Sequence, residues 1–453
     1  MALHLPHGHL VYKSHILRMQ VSPEREIPAA MPGPDEPRPA TSAWRPVAAA
    51  MFCCGWAGNQ FTPLLVMYRK LGGYSPLTVD AMLGAYVLGL VPGLLVGGPA
   101  SDRYGRRPLM LLGTALSAIA CAVLAAGPLG VGPIFLGRML TGVAVGVAMA
   151  VGTSWVKELS GAPFDPDAAP AAGARRASLA LTAGFGMGAG VAGVLAQWAP
   201  WPMVLPYLPP IALSIAVLMM LPKVPQLSPG RIEGPLWRDL RVPAAGHRRF
   251  VRVVLPTAPW IFGAAGIAYA ITPQLEADRM GTWQLVYATA LTVLTLGTGV
   301  AVQPIAKRLD SVSSARGAMV ALGLVGLGTL MAALNAGPRS PWAGLALAVV
   351  LGAGYSIGLV NGLLEIQRIA TGRDLAGLTG VFYALTYTGF LLPATLALLS
   401  SALSYTVLLL LVTAVVLACL TVVATNSRRH LPQSKFAGTP QSTLRLDRAD
   451  AQA

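Results

Sequence analysis

Apolar residues along this chain gather into runs of about 20, the length a helix needs to cross a hydrocarbon layer, and polar residues fall between the runs. The runs lie at about 46–67, 78–98, 109–127, 131–153, 177–198 and 202–221, then at about 251–272, 283–304, 318–335, 342–363, 376–399 and 403–425. A longer charged connection, 222–250, separates the two sets of six. This pattern predicts an all-α membrane protein: twelve transmembrane helices in two pseudo-symmetric six-helix bundles. The expected organisation is a tail over 1–45, a bundle over 46–221, a cytoplasmic linker over 222–250, a bundle over 251–425 and a tail over 426–453. The first tail is polar and carries Pro34, Pro37 and Pro39, which reads as disordered and cytoplasmic; an upstream start codon accounts for it equally well. The first run begins near Val47, too far along for a cleavable signal peptide.

Composition narrows the classes further. The chain is 54% hydrophobic and 11% charged, with a mean hydropathy of +0.61. A soluble chain carries about 25% charged residues, and disordered chains are polar rather than apolar. The net charge of +15 raises the question of nucleic acid, but the basic residues form no block interleaved with aromatics. They map the topology instead. With both termini inside, 28 of the 33 Lys and Arg face the cytoplasm, and four (Arg69, Lys70, Arg279, Arg339) face outward. The remaining one, Arg138, falls within a span. That asymmetry predicts a multi-pass protein of the cell membrane with both termini cytoplasmic.

The four cysteines lie in apolar runs without zinc spacing, and all six histidines lie outside the runs, so no metal site is expected. No G-x-x-x-x-G-K-[ST], H-E-x-x-H or G-x-S-x-G occurs, so the expectation is no enzyme, no catalytic residues and no cofactor. The connection and tails are too short and polar for a folded sensor domain. A transporter remains, with a small-molecule substrate, the lipid bilayer and protons as partners, no nucleic acid, and a monomeric state.

Between spans 2 and 3 stands Gly98-Pro-Ala-Ser-Asp102-Arg103-Tyr-Gly105-Arg106-Arg107-Pro108. Gly98 is read as allowing close helix approach, Gly105 as permitting the turn, and Asp102 as accepting hydrogen bonds from a helix N-terminus. The stretch matches G-x-x-x-D-R-x-G-R-R, and with its position and the six-plus-six layout the chain resembles the major facilitator superfamily. The resemblance implies that Asp102 meets the start of span 11, near Asp374, Leu375 and Ala376, and keeps the cytoplasmic side closed. It further implies that spans 1, 4, 7 and 10 line a central cavity. Glu158, in Lys157-Glu158 at the inner end of span 4, is expected to pair with Arg106 or Arg107. In the second half Gln303-Pro-Ile-Ala-Lys307-Arg308 is a worn copy of the loop, and Glu365 is expected to face Arg308 as a gate pair, the alternative being a proton carrier.

Arg138-Met-Leu-Thr-Gly142-Val-Ala-Val-Gly146 in span 4 is similar to the family's R-x-x-x-G-x-x-x-G. An arginine inside a span needs a partner or a water-filled cavity. Arg138 is therefore a functional candidate, and the resemblance implies a role in proton coupling or in holding the binding site in shape; snorkelling to the outer surface is the bland alternative. Gly142 and Gly146, and in span 5 Gly184, Gly188 and Gly193, are expected to pack helices tightly. Span 5 resembles an antiporter motif, yet Ala189 replaces its Pro and Ala192 one Gly. Among the acidic residues only Asp80 and Glu365 touch a predicted span, which makes Asp80 a second coupling candidate. Asn59, Gln60, Trp260, Tyr355, Asn361, Tyr383 and Tyr387 are the substrate-binding candidates, being polar or aromatic at mid-span depth. A cavity poor in charge favours a neutral or amphipathic solute. The expected function is secondary transport by alternating access, as efflux of drug-like compounds or metabolites with proton exchange. The alternative is uptake or facilitated diffusion of a small neutral nutrient.

Overall fold

A computed structural model describes residues 42–169, 172–226, 242–370 and 375–429. Most of both tails, residues 227–241 of the connection and Asp374 lie outside the described residues, so the readings placed on them stand as expectations.

Every regular element among the described residues is helical. Span 1 is a pair of helices, Trp44–Asn59 and Phe61–Gly72, that meet at Gln60. Eleven further apolar helices come after it. Spans 2 to 6 are Pro76–Tyr104, Arg106–Ala125, Val131–Leu159, Ala172–Trp198 and Leu205–Lys223. Spans 7 to 12 are Phe250–Leu275, Ala277–Ala301, Arg316–Asn335, Pro341–Ile369, Gly377–Leu399 and Tyr405–Asn426. Twelve crossings return the chain to the side on which it started; that side is the terminal face, and the other is the distal face.

Local chemistry sets the ends of these helices. Ser75 caps span 2 by accepting from the Thr78 amide, and Ser404 caps span 12 by accepting from the Val407 amide. Pro76 and Pro341 occupy first turns, where no amide proton is needed. Gly105 has φ +97° at the turn between spans 2 and 3, a conformation that other residues rarely adopt. Three π-helical turns interrupt the spans, at Ala148–Gly152 in span 4 and at Phe250–Val254 and Ile267–Ile271 in span 7.

Glycines let the spans touch backbone to backbone, the main route to tight packing where the solvent is itself apolar. A Cβ on Gly142 would collide with the Tyr86 carbonyl, and one on Gly146 would lie 2.6 Å from the Leu90 carbonyl, so span 4 lies directly on span 2. Gly184 and Gly188 do the same for span 5 against the Phe52 and Trp56 carbonyls of span 1. Gly193 meets Thr289 of span 8 in the opposite half. Gly98 differs from its expected role, because a Cβ there would meet nothing within 4 Å. Gly142→Leu is therefore expected to abolish monodisperse folded protein on size-exclusion chromatography in detergent, whereas Gly98→Ala elutes as the unmodified protein does.

The two halves share apolar core. A buried cluster centred on spans 1 to 6 continues through Phe262, Ile366, Leu378 and Phe382 of spans 7, 10 and 11, while Leu322, Leu351, Leu408 and Val416 belong to a second cluster confined to the C-terminal half. Spans 2 and 11, and spans 5 and 8, pack against each other across the halves.

Candidate functional site

Arg138 is the charge around which the centre of the molecule is built. Its side chain is buried rather than snorkelled, with the residue only 1% exposed. Nη1 donates to the Gly58 carbonyl at 3.1 Å and Nε to the Met82 carbonyl at 3.4 Å. The guanidinium lies 4.6 Å from the ring centroids of both Phe61 and Tyr86, within range of cation–π attraction. Among the described residues no carboxylate forms an ion pair with it. A guanidinium carries five N–H donors, and backbone carbonyls and ring faces leave its charge uncompensated.

Arg138 opens onto a central cavity between the halves. Gly58, Asn59, Thr62, Tyr86 and Phe185 line it from the N-terminal half, and Phe262, Tyr269, Tyr355, Tyr387 and Phe390 from the C-terminal half. The aromatic wall is continuous: Phe262 stacks on Tyr387 with centroids 4.2 Å apart, and lies 4.9 Å from Phe390. Tyr86 bridges to Tyr387 at 5.9 Å. The cavity holds about 30 Å³, room for a single water, so any organic solute enters only when the halves separate. Chemically, the arrangement offers one fixed positive charge, a polar edge at Asn59 and Thr62, and flat apolar faces.

Three of the seven substrate-binding candidates are on this wall: Asn59, Tyr355 and Tyr387. The other four are not. Gln60 turns away and donates to the Cys121 sulfur at 3.3 Å. Asn361 donates to the Ala306 and Ile357 carbonyls and serves packing of span 10. Trp260 packs on the core of the C-terminal half, and Tyr383 sits against Phe382 outside the cavity lining. Phe262, Phe390, Tyr86 and Tyr269 also line the cavity and carry no signal for it in the sequence, because a ring that lines a cavity and one that only packs are spelled alike.

The distal face is closed by polar contacts between the halves. Asp80 is fully buried and pairs with Arg69 at 3.2 Å. The same Arg69 Nη2 donates across to Gln274 of span 7 at 2.5 Å, and Gln274 donates on to the Tyr405 hydroxyl at 3.3 Å. Lys70 donates to the Gly281 carbonyl and Gln197 to the Thr282 carbonyl, both across the same divide. One Asp80 oxygen, Oδ2, is buried with no hydrogen-bond partner among the described residues.

On the terminal face Arg106 donates to Asp102 and, of the two arginines expected for Glu158, is the one that pairs with it, at 3.0 Å. Arg107 goes elsewhere, to the Val224 carbonyl, while its amide donates to Gln226. Leu375 begins the helix leading into span 11, and Asp374 lies outside the described residues. In the second half the expected Glu365–Arg308 pair does not form. Glu365 takes a bidentate bond from Arg249, 2.7 Å at each oxygen, and a longer one from Arg368, which also bonds Asp310. Arg308 is exposed, and its carbonyl accepts from Arg316. Arg249 comes from the stretch read as linker, yet it is 1% exposed. Glu276, which falls between spans 7 and 8 and touches no predicted span, is likewise 1% exposed.

Comparison with known proteins gives a family match: the model of the Major Facilitator Superfamily matches residues 47–287, more than half of the chain. The gallate transporter of Pseudomonas putida is 33% identical over 132 residues, 28% of this chain and 26% of that protein. The D-xylose transporter of Levilactobacillus brevis is 36% identical over 84 residues, 18% of each chain. The 3-(3-hydroxy-phenyl)propionate transporter of Escherichia coli strain K12 is 34% identical over 83 residues, 18% of this chain and 20% of that one. The chain thus matches about a quarter or less of these relatives' length. A D-xylose–proton symporter structure is similar in fold, with a TM-score of 0.64 at 17% identity, covering 87% of this chain and 98% of that one.

Proposed function

The chain belongs to the Major Facilitator Superfamily and is a transporter of a small solute, not an enzyme; from that premise we propose that it takes up an aromatic carboxylate together with protons. The observation that carries this reading is Arg138, a buried guanidinium without a carboxylate partner, set in an aromatic wall. A carboxylate on the solute supplies the missing counter-charge by charge-assisted hydrogen bonds, and its ring stacks on Tyr387 and Phe262. Gallate and 3-(3-hydroxyphenyl)propionate, the solutes named for two of the relatives, are aromatic carboxylates. D-xylose, named for a third, has no charge to answer Arg138.

Of the two directions weighed from the sequence, uptake is favoured over efflux by the departures Ala189 and Ala192 in the exchange motif. An anion entering a negative-inside cell also needs an accompanying cation. The basic asymmetry supports a cytoplasmic terminal face and residence in the cell membrane. Transport then runs by alternating access. The distal contacts Arg69–Gln274 and Lys70–Gly281 break to admit solute, and the terminal contacts around Asp102, Arg106 and Glu158 break to release it. Asp80 is a coupling site in this scheme, because protonating it weakens its hold on the arginine that ties Gln274.

The test is uptake of labelled gallate by proteoliposomes, with and without an inward proton gradient. The expected result is accumulation that needs the gradient and falls at least about tenfold in Asp102→Asn, with insertion unchanged. Gradient-independent flux contradicts proton coupling, and D-xylose uptake without gallate uptake contradicts the substrate class.

A further inference from the structure

Glu276 has a use that neither gate requires. It lies at the distal end of the C-terminal bundle, between spans 7 and 8, and is buried, with no basic partner among the described residues. Its Oε1 accepts from Asn335 Nδ2 at 2.5 Å. Asn335 is fixed in turn, since the Ser340 amide donates to its Oδ1 and its Nδ2 also donates to the Ser340 carbonyl. The Asn335 amide is therefore oriented and fully used.

The other oxygen, Oε2, contacts the Tyr287 hydroxyl, and that hydroxyl also lies 2.9 Å from the Pro341 carbonyl. One phenolic proton stands between two acceptors if Glu276 is ionised, and it can satisfy only one of them. A neutral Glu276 removes the conflict: its O–H donates to Tyr287 Oη, and Tyr287 donates to the Pro341 carbonyl. Gly344 makes room for this relay, because a Cβ there would fall 2.5 Å from Glu276 Oε2.

We propose that Glu276 is a proton-binding site, carrying a proton in the distal-closed conformation and tying together the distal ends of spans 7, 8, 9 and 10. Deprotonation breaks the Glu276–Tyr287–Pro341 relay and loosens those ends. Facing Glu276 are Tyr287 from span 8, Asn335 from span 9 and the Pro341–Gly344 backbone of span 10. The charged side chains of the adjoining segments, Asp278 and Arg279 in the first turn of span 8 and Arg339 before span 10, are exposed, and Arg339 pairs with Asp278 at 3.0 Å. Burial pushes the Glu276 carboxyl up to about 7, outweighing its contacts with Tyr287 and Asn335. A carboxyl raised in this way stabilises the fold fully below its ordinary range near 4.5, and that contribution is lost as pH rises towards 7.

The test needs no substrate, so its failure is distinct from failure of the transport reading. Purified protein in detergent is titrated from pH 5 to pH 8 and followed by infrared difference spectroscopy and by thermal melting. In the unmodified protein a protonated-carboxyl band should disappear as pH passes about 7, and the melting temperature should fall by roughly 2–5 degrees. Glu276→Gln, which mimics the neutral acid, should lack that band and flatten that part of the melting profile. The same band and profile in Glu276→Gln overturn the proposal. Should that variant not fold, Tyr287→Phe serves instead: loss of the hydrogen-bond acceptor must shift the band, and an unshifted band overturns the proposal equally.

Discussion

Arg138→Met is expected to lower affinity for an aromatic carboxylate by roughly 100-fold, about 3 kcal/mol, and to stop uptake while the protein stays folded. The two halves of this expectation come from the same geometry. Arg138 is buried against carbonyls and rings with no carboxylate partner among the described residues, so replacing it with an apolar side chain of similar length removes an uncompensated charge. Burying an unpaired charge is costly, so its removal relieves a strain on the fold rather than adding one. With solute bound, the same residue holds the carboxylate, and its loss leaves that anion unpaired in an apolar wall. Arg138→Lys keeps the charge but not the planar fork, and an intermediate affinity is expected. Melting temperature and binding measured on the same samples separate the two effects. A collapse of the fold in Arg138→Met assigns the residue to structure instead.

Arg249→Met should act oppositely, on the fold first. Arg249 donates twice to Glu365 and reaches the Ser427 and Arg429 carbonyls, clamping spans 7, 10 and 12 at the terminal face. Removing it leaves Glu365 buried with only the longer Arg368 contact. Breaking one side of a buried pair costs about 3–5 kcal/mol because the remaining charge is stranded. A lowered melting temperature and poor yield in detergent are expected for the single variant. Arg249→Met combined with Glu365→Gln should regain most of the loss, since the second change neutralises the stranded charge. A double variant as unstable as the single one shows that Arg249 acts through the carbonyls alone.

Legibility in the sequence tracked the distance over which each contact reaches. The twelve crossings were readable because span length and basic loops are properties of contiguous stretches. The Glu158 partner was readable only as far as Arg106 or Arg107, and in the structure it is Arg106. Glu365 was assigned the wrong arginine because Arg249 lies 116 positions away in a polar stretch that reads as linker. Gln60 and Asn361 were misplaced for a different reason: a polar residue at mid-span depth marks a buried partner, and that partner is as readily a neighbouring helix as a solute. Span 7 adds its own difficulty. The π-helical turn at Ile267–Ile271 inserts a residue and rotates the side chains beyond it by about 100°, so the helical periodicity that places Phe262 does not carry on to Tyr269. Glu276 escaped because it falls between two apolar runs, where a carboxylate passes for an ordinary loop residue.

The central claim is that Arg138 reads the carboxylate of an aromatic solute, and the most direct measurement is a matched pair of ligands differing in that group alone. Binding of gallate and of its methyl ester to the purified protein, at one pH and one ionic strength, compares the same ring with and without the charge. Gallate should bind roughly 100-fold more tightly, with the preference gone in Arg138→Met. Equal binding of the acid and the ester to the unmodified protein contradicts the claim.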